Sequence, residues 1–264
     1  MEPTLAGRTA LITGSTSGIG LGIALLYAQA GAKVMLNGFG RPEDIAGARA
    51  KVGVAMGVAE APYSAADLSQ PDAVRQMVRD AEAALGSVDI LVNNAGIQFV
   101  APIDEFPEDK WDAIIAINFV SNYHAIKAAL PGMKARNWGR IINVASAHGL
   151  VASPYKSAYV SAKHAVVGLT RTVALEIATL PITCNAICPG FVRTPLAEAQ
   201  VGPLARQHNV SDQVALEEYL LAKQPSRRWI EVEEVARMAL YLVGPGSGGV
   251  NGAALSIDGG WLAA

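Results

Sequence analysis

The sequence predicts an α/β protein: a single doubly wound domain, residues 1–264, with helices on both faces of a parallel, seven-stranded sheet. Short apolar runs rich in β-branched residues alternate along the chain with longer segments of helical pattern, which is typical of right-handed β-α-β units. Hydrophobic residues make up 51% of the chain and charged residues 17%, which is enough apolar material for one buried core. Since no linker rich in proline or serine divides the chain, we expect one domain.

The predicted strands are the short apolar runs, and the predicted helices are the longer segments between them. In chain order the strands are Arg8–Thr13, Lys33–Asn37, Ala61–Ser64, Val88–Val92, Gly139–Val144, Ile182–Cys188 and Ala254–Ile257. The helices are Gly18–Ala30, Pro71–Leu85, Pro107–Arg136, Ser157–Ala178 and Val232–Leu242. Residues 190–225 are the most irregular and polar part of the chain, and we expect them to form a lid over a ligand site.

Charge and hydropathy exclude several classes of function. The net charge is -2 and no basic stripe is present, which argues against nucleic acid or anionic lipid as a partner. The apolar runs are shorter than the ~18 residues that a membrane span needs. The first residues lack the basic and apolar segments of a signal peptide, so we expect a cytoplasmic protein with no membrane partner.

The two cysteines are predicted to be reduced packing residues. Cys184 and Cys188 lie four positions apart on a predicted strand, about 13 Å at the usual rise per residue, which is too far for a disulfide. A metal would need more ligands nearby, so no metal site is expected. Reduced cysteines also suit the cytoplasm.

One helical pair carries acid/base chemistry. Tyr159 and Lys163 are four residues apart, so they lie on the same face of the predicted helix. A neighbouring ammonium favours the phenolate, and we therefore expect Lys163 to lower the pKa of Tyr159. A tyrosine tuned in this way exchanges a proton with a carbonyl or alcohol oxygen. Taken alone, the pair is better explained as an exposed lysine beside a half-buried tyrosine on a surface helix, and only the other motifs of the chain favour catalysis.

A glycine-rich turn follows the first predicted strand, in the order Thr13-Gly14-x-x-x-Gly18-x-Gly20. Glycines there allow a tight turn, and the following helix N-terminus favours a pyrophosphate. The spacing differs from the common dinucleotide fingerprint, and ordinary strand-to-helix turn chemistry is the alternative. Its place at the carboxyl end of a strand, where ligands bind in such sheets, favours a nucleotide site.

Together these motifs resemble the short-chain dehydrogenase/reductase family, over essentially the whole chain from Gly7 to Trp261. The resemblance is carried by the glycine turn, by Asn93-Asn-Ala-Gly96, Asn118, Ser146, Tyr159-x-x-x-Lys163 and Pro189-Gly190, all in the family's order. It implies a Rossmann-type fold and a nicotinamide dinucleotide cofactor.

The resemblance also implies roles for individual residues. Tyr159 would be the acid/base, and Ser146 would hydrogen-bond the substrate oxygen. Lys163 would hold the nicotinamide ribose, and Asn118 would position a water that links Lys163 to solvent. The implied cofactor-binding residues are Gly14, Thr16, Ser17, Gly18, Ile19, Gly20, Phe39, Asp67, Leu68, Asn94, Ala95, Gly96, Tyr159, Lys163, Pro189, Gly190, Val192 and Thr194.

A narrower resemblance is to the D-3-hydroxybutyrate dehydrogenase subfamily. Its flanking segments, such as Ala145-Ser-Ala-His-Gly-Leu-Val-Ala-Ser153, imply a small 3-hydroxy or 3-oxo acid as substrate and a homotetramer built through the two long helices and the last strand. The implied carboxylate ligands are Gln98, His148, Lys156 and Gln200. Phe191 stands where the subfamily often has Trp, which keeps an apolar wall but changes the size of the substrate pocket.

The narrower resemblance implies a function and a cofactor: NAD-dependent interconversion of D-3-hydroxybutyrate and acetoacetate. The chain shows no acidic residue in Asn37-Gly-Phe39-Gly-Arg41, where NAD enzymes usually have one. Phe39 would crowd a 2′-phosphate, so we expect NAD to be preferred over NADP; Arg41, which could pair with that phosphate, is the counter-argument. The rival functions are an NADPH-dependent 3-oxoacyl carrier-protein reductase, another short-chain alcohol or ketone reductase, and a non-catalytic dinucleotide sensor.

Overall fold

A computed structural model describes residues 5–263, and its centre is one parallel sheet of seven strands. Residues 1–4 and 264, which the predicted domain includes, lie outside the described residues. The strands are β1 (Thr9–Ile12), β2 (Lys33–Asn37), β3 (Tyr63–Ser64), β4 (Ile90–Asn93), β5 (Gly139–Val144), β6 (Ile182–Pro189) and β7 (Ala254–Ile257). Their order in the sheet is β3-β2-β1-β4-β5-β6-β7, and the fold-class prediction is confirmed.

Helices lie on both faces of this sheet. They are α1 (Gly18–Gln29), α2 (Pro42–Met56), α3 (Pro71–Leu85), α4 (Glu108–Ile115), α5 (Ser121–Ala135), α6 (Ser157–Glu176), α7 (Pro195–Glu198), α8 (Val201–His208), α9 (Asp212–Val214) and α10 (Val232–Val243). Helices α1, α2 and α10 pack on one face, and α3, α5 and α6 pack on the other.

Strand β1 shows why both faces are buried. Ala10 and Ile12 point into the core beneath α1 and α10, while Leu11 between them points into the core beneath α3 and α5. Successive side chains of a strand alternate between faces, so an unbroken apolar run fills two cores. The chain passes from β1 to β2 on one side and reaches β4 on the other. This reversal of strand order opens a crevice at the carboxyl ends of the strands.

Three predicted features need correction. Helix α2 was not expected, although Pro42 at its first turn and Gly57 in a left-handed C-cap are common helix boundaries. Its apolar periodicity is weak because alanine and glycine fill much of the segment. The predicted helix 107–136 contains a π-helical turn at Ala116–Val120. The predicted irregular segment 190–225 is largely helical, with α7, α8, α9 and a second π-turn at Ala215–Leu220.

One helical stretch meets the criteria of length and composition for a membrane span, although the sequence predicted none. Among the described residues, Glu108–Ala135 has 28 residues, and an 18-residue window within it has a mean hydropathy of 1.2, with 39% of that window buried inside the protein. A helix that packs in a protein core has the same length and composition, so this one stretch is weak evidence for a membrane.

Candidate active site

The carboxyl ends of the strands open into a cavity of about 420 Å³. It brings together predicted site residues from seven separate segments of the chain. The predicted residues that line it are Gly14, Thr16, Ser17, Gly18, Ile19, Phe39, Leu68, Asn94, Ala95, Gly96, Gln98, Ser146, His148, Lys156, Tyr159, Lys163, Pro189, Gly190, Phe191, Val192, Thr194 and Gln200. Gly20, Asp67 and Asn118 are not among the lining residues.

The glycine-rich turn has the shape of a phosphate cradle. Gly14 and Gly18 have positive φ angles of 60° and 53°, which other residues rarely adopt. A Cβ on Gly14 would lie 2.7 Å from Ala95 Cα, and one on Gly20 would overlap the Gly14 carbonyl oxygen. Asn94 Nδ2 donates to the carbonyls of Thr13 and Gly14, each at 2.9 Å. The turn is therefore rigid, and the start of α1 faces the cavity where the dinucleotide phosphates fit.

The end of the cavity beside β2, where the resemblance predicts the adenosine, is lined by uncharged residues. Asn37 ends β2 and is buried, and its amide donates to the carbonyls of Ser64 and Ala66 at 3.1 Å. Phe39 is 62% exposed at the cavity edge. Arg41 lies on the surface with its guanidinium paired to Asp44 at 2.8 and 3.0 Å and to Glu43 at 3.3 Å. The carboxylates of Glu43 and Asp44 are therefore paired with the guanidinium of Arg41, the group that could otherwise bind a 2′-phosphate.

Asp67 and Leu68 flank this end of the cavity. Leu68 is buried and lines the cavity, whereas the Asp67 carboxylate accepts a hydrogen bond from the Ser69 N–H at 2.9 Å and is exposed. Cofactor binding by Asp67 stays a prediction.

Ser146, Tyr159 and Lys163 all line the cavity near the end of β5 and the start of α6. Ser146 follows β5, while Tyr159 and Lys163 project from the first two turns of α6. Lys163 is 3% exposed, and its ammonium donates to the Val144 carbonyl at 2.7 Å and lies 5.6 Å from the Tyr159 ring centroid. The Ser146 Oγ accepts the His148 N–H at 3.1 Å, which orients the serine hydroxyl.

The prediction that the pKa of Tyr159 is lowered is wrong for the protein by itself. Burial raises the pKa of Tyr159, and the hydrogen bond with Ser146 offsets only part of that rise. Burial also lowers the pKa of Lys163 to about 8, so the lysine charge is itself desolvated. The hydrogen bond with Ser146 favours the phenolate, but by less than burial opposes it.

Asn118 lies in the π-turn between α4 and α5 and is fully buried. Its Oδ1 accepts the Ile97 N–H at 2.8 Å, and its Nδ2 donates to the Ile97 carbonyl at 2.9 Å. The side chain therefore pins the loop after β4 that carries Gln98. A Cβ on Gly96 would lie within 3.7 Å of both Asn118 and Lys163 Nζ, so the two residues are neighbours. The water-positioning role stays a prediction.

Opposite the glycine turn the cavity is lined by cationic, amide and imidazole groups. Gln98 Nε2 approaches Gln200 Oε1 at 3.4 Å, which closes one side of the cavity. Lys156 Nζ lies 5.9 Å from the Phe191 ring centroid, and burial together with the charge of Lys223 lowers the pKa of Lys156 to about 8. Burial, followed by nearby positive charges, lowers the pKa of His148 to about 3, so its ring is neutral.

Sequence reasoning missed an aromatic residue of this subsite. The Trp261 ring stacks on Phe191 with centroids 5.5 Å apart and an 8° interplanar angle, and it meets His148 edge-on at 5.0 Å. Asp258 holds the turn before it by accepting the backbone N–H groups of Gly260 and Leu262. The sequence signal that could have found Trp261 is its position just beyond the carboxyl end of the last strand.

The end of the segment 190–225 contributes two further residues that the sequence did not single out. Gln224 is completely buried, accepts the Phe191 N–H and donates to the Arg228 carbonyl at 2.8 Å. Lys223 donates to Ser153 and lies 5.5 Å from the Trp261 ring centroid. Both cysteines are free and buried, and residues 5–263 contain no cluster of three or more potential metal ligands.

Comparisons of the whole chain with known proteins identify its relatives. A family model described as short chain dehydrogenase matches residues 8–202. A D-beta-hydroxybutyrate dehydrogenase from Rhizobium meliloti (strain 1021) is 50% identical over 97% of this chain and 99% of the relative. The protein of the same name from Cupriavidus necator is 50% identical over 98% of this chain and 99% of the relative. The crystal structure of an actinorhodin polyketide ketoreductase variant with NADPH superposes with a TM-score of 0.90 and 34% identity, covering 96% of this chain and 97% of the other.

Proposed function

This chain belongs to the short-chain dehydrogenase family, and we propose that it interconverts D-3-hydroxybutyrate and acetoacetate with NAD as the hydride carrier. It is an oxidoreductase of the kind represented by its D-beta-hydroxybutyrate dehydrogenase relatives. The observation that carries the proposal is that one cavity holds both an acid/base group and a set of donors for an anion. Ser146, Tyr159 and Lys163 form one end, and the donor set around Lys156 lies beside them.

At the reacting end, Ser146 and Tyr159 bind the substrate's C3 oxygen. In the oxidation direction Tyr159 accepts the hydroxyl proton, and in reduction it returns that proton to the ketone oxygen. When bound, NAD would supply the hydride acceptor. Lys163 lines the cavity 5.6 Å from the Tyr159 ring centroid, and it would hold the nicotinamide ribose. Because burial raises the pKa of Tyr159, oxidation is expected to speed up as pH rises.

At the other end, the substrate carboxylate is bound by Lys156 and by the amide and imidazole donors of Gln98, Gln200 and His148. Lys156 provides a full charge in a desolvated position, where a charge-assisted hydrogen bond is strong. Phe191 and Trp261 form an apolar wall for the substrate's methyl end. A cavity with one acid/base pair and one anion subsite suits a small hydroxy acid.

NAD is the cofactor that the adenosine end favours. Asn37 adds no charge, Phe39 crowds the position of a 2′-phosphate, and Arg41 is paired to Glu43 and Asp44. The test compares kcat/KM for NAD and NADP in the wild type and in the Glu43→Gln/Asp44→Asn variant, which releases Arg41. We expect the wild type to prefer NAD and the variant to gain NADP activity several-fold. Glu233→Ala, which releases Arg237 on α10, is the control that should not change the ratio.

The reaction itself is tested with purified protein and a panel of substrates. We expect D-3-hydroxybutyrate to be oxidised with NAD and the L form to be a poor substrate. The methyl ester of the D form should be oxidised at a small fraction of the rate of the acid. Equal rates with acid and ester would refute the carboxylate subsite. Faster NADPH-dependent reduction of an acetoacetyl thioester would favour a carrier-protein reductase, and cofactor binding without any turnover would favour a sensor.

A further inference from the structure

Three polar side chains connect the end of the lid to the substrate side of the cavity. Lys223 Nζ donates to Ser153 Oγ, and Ser153 Oγ lies 2.8 Å from His148 Nε2. His148 is 4% exposed and lines the cavity, whereas Lys223 lies at the surface in the 3-10 turn Leu221–Lys223. The chain of contacts therefore runs from solvent to the centre of the anion subsite.

The direction of these hydrogen bonds follows from what each group can donate. An ammonium is a donor only, so the Ser153 oxygen accepts from Lys223. Among the contacts of Ser153 within residues 5–263, His148 Nε2 is then the one acceptor for the serine hydroxyl proton. An Nε2 that accepts carries no proton, which leaves the single proton of a neutral imidazole on Nδ1.

We propose that Lys223 and Ser153 are positioning residues that hold His148 in the neutral Nδ1–H tautomer, so that the ring offers a hydrogen-bond donor to the substrate carboxylate. Nδ1 has no hydrogen-bond partner among residues 5–263, so its proton is free to serve a ligand. The opposite tautomer would present a lone pair there, which repels an anion.

The charges around His148 support the same arrangement. Lys156, Lys223 and His164 all oppose protonation of the ring, as does its burial, so His148 stays neutral and its tautomer decides what it can donate. The inference rests on the proposed function for the identity of the ligand. The tautomer, however, is a property of the free protein and is measurable without substrate.

The direct test is solid-state ¹⁵N NMR of the full chain, labelled at histidine and sedimented at pH 6.5 without ligand. The chain has four histidines, and the His148→Gln variant identifies the His148 signals by their loss. We expect a protonated Nδ1 and an unprotonated Nε2 in the wild type. Ser153→Ala and Lys223→Met should move the population toward Nε2–H, and Lys223→Arg, which keeps the donor, should restore the wild-type pattern.

Kinetics supply an independent measurement. The hydrogen bond from His148 to the carboxylate has a charged acceptor, so its loss corresponds to about a 10- to 100-fold change, which we expect as a rise in KM for 3-hydroxybutyrate in Ser153→Ala and Lys223→Met, with KM for NAD unchanged. Lys51→Met, which removes an exposed lysine on α2, is the matched control.

The outcomes separate the two proposals. A wild-type Nε2–H tautomer, or variants that keep the wild-type tautomer, would refute the positioning role. The expected tautomer in a protein that does not turn over 3-hydroxybutyrate would leave the positioning role intact and overturn the proposed substrate.

Discussion

At the scale of single residues, Tyr159 is the group on which the proposed chemistry depends. Tyr159→Phe removes the proton-transferring oxygen and almost no volume, so kcat should fall by about 10²- to 10⁴-fold. NAD affinity, measured by quenching of protein fluorescence, should stay within about twofold because the cofactor contacts are intact. A variant that keeps most of its activity would refute the acid/base assignment.

Lys156 is expected to make recognition of the acid pH-dependent. Burial, together with the charge of Lys223, depresses the pKa of Lys156 to about 8 in the free enzyme, so its positive charge is present below pH 8 and is lost as pH rises above that value. The ratio of kcat/KM for 3-hydroxybutyrate to that for its methyl ester should therefore fall above pH 8. Tyr159 and Lys163 act on both substrates, so their titration changes both kcat/KM values equally and cancels in the ratio.

Lys156→Met is the control for this pH profile. Loss of a hydrogen bond to a charged group costs about 1.5–3 kcal/mol, so the acid-to-ester ratio at pH 7 should drop by about ten- to a hundredfold. The ratio should then be flat with pH. A wild-type ratio that is constant from pH 7 to 9.5 would contradict the assignment of the carboxylate to Lys156.

At the scale of elements, the turn after β6 is locked to the end of the lid. A Cβ on Gly190 would overlap Gln224 Oε1 and lie 3.0 Å from Asp258 Cα. Gln224 cannot yield, since it is buried and bonded to both Phe191 and Arg228. Gly190→Ala should therefore lower the free energy of unfolding by about 1–3 kcal/mol, measured by chemical denaturation.

Gly47→Ala in the middle of α2 is the matched control, because a Cβ there meets nothing within 4 Å. Alanine is the better helix former by about 0.5–1 kcal/mol, so this variant should be slightly more stable than the wild type. If both variants had the same stability, the contact between the β6 turn and Gln224 would not constrain the fold.

The elements also show where sequence patterns stop being informative. The predicted strands correspond to those observed because apolar β-branched runs in a fully covered sheet have few alternatives. Helix α2 and the lid helices α7 to α9 were missed, since helices that are short or poor in large apolar residues lack a clear period. The π-turn at Ala116–Val120 has no sequence signal that we can name.

At the scale of the whole molecule, the homotetramer stays a prediction with a defined test. Leu175 on α6 is 79% exposed and Tyr123 on α5 is 43% exposed, on the two long helices expected at the interface. Sedimentation velocity should give a species of four 27.5 kDa chains for the wild type. Leu175→Glu should shift it to smaller species, because a buried unpaired charge opposes association.

Val54→Glu controls for the effect of surface charge alone. Val54 is 77% exposed, but it lies on α2, away from the two long helices. This variant should sediment like the wild type. Equal sedimentation of the Leu175 variant and the wild type would place the interface elsewhere, and a monomeric wild type would refute the tetramer.

The sequence by itself determined the fold class and the family, and it predicted the reacting groups, because strand periodicity and the spacing of Tyr159 and Lys163 are local properties. Only the tertiary structure decided which distant residues meet them. Trp261 and Lys223 reach the subsite from beyond the last strand and from the lid, and no local pattern encodes contacts across so many residues. The structure also decided the direction of the Tyr159 pKa, since desolvation depends on everything packed around the phenol and outweighs the hydrogen bond with Ser146.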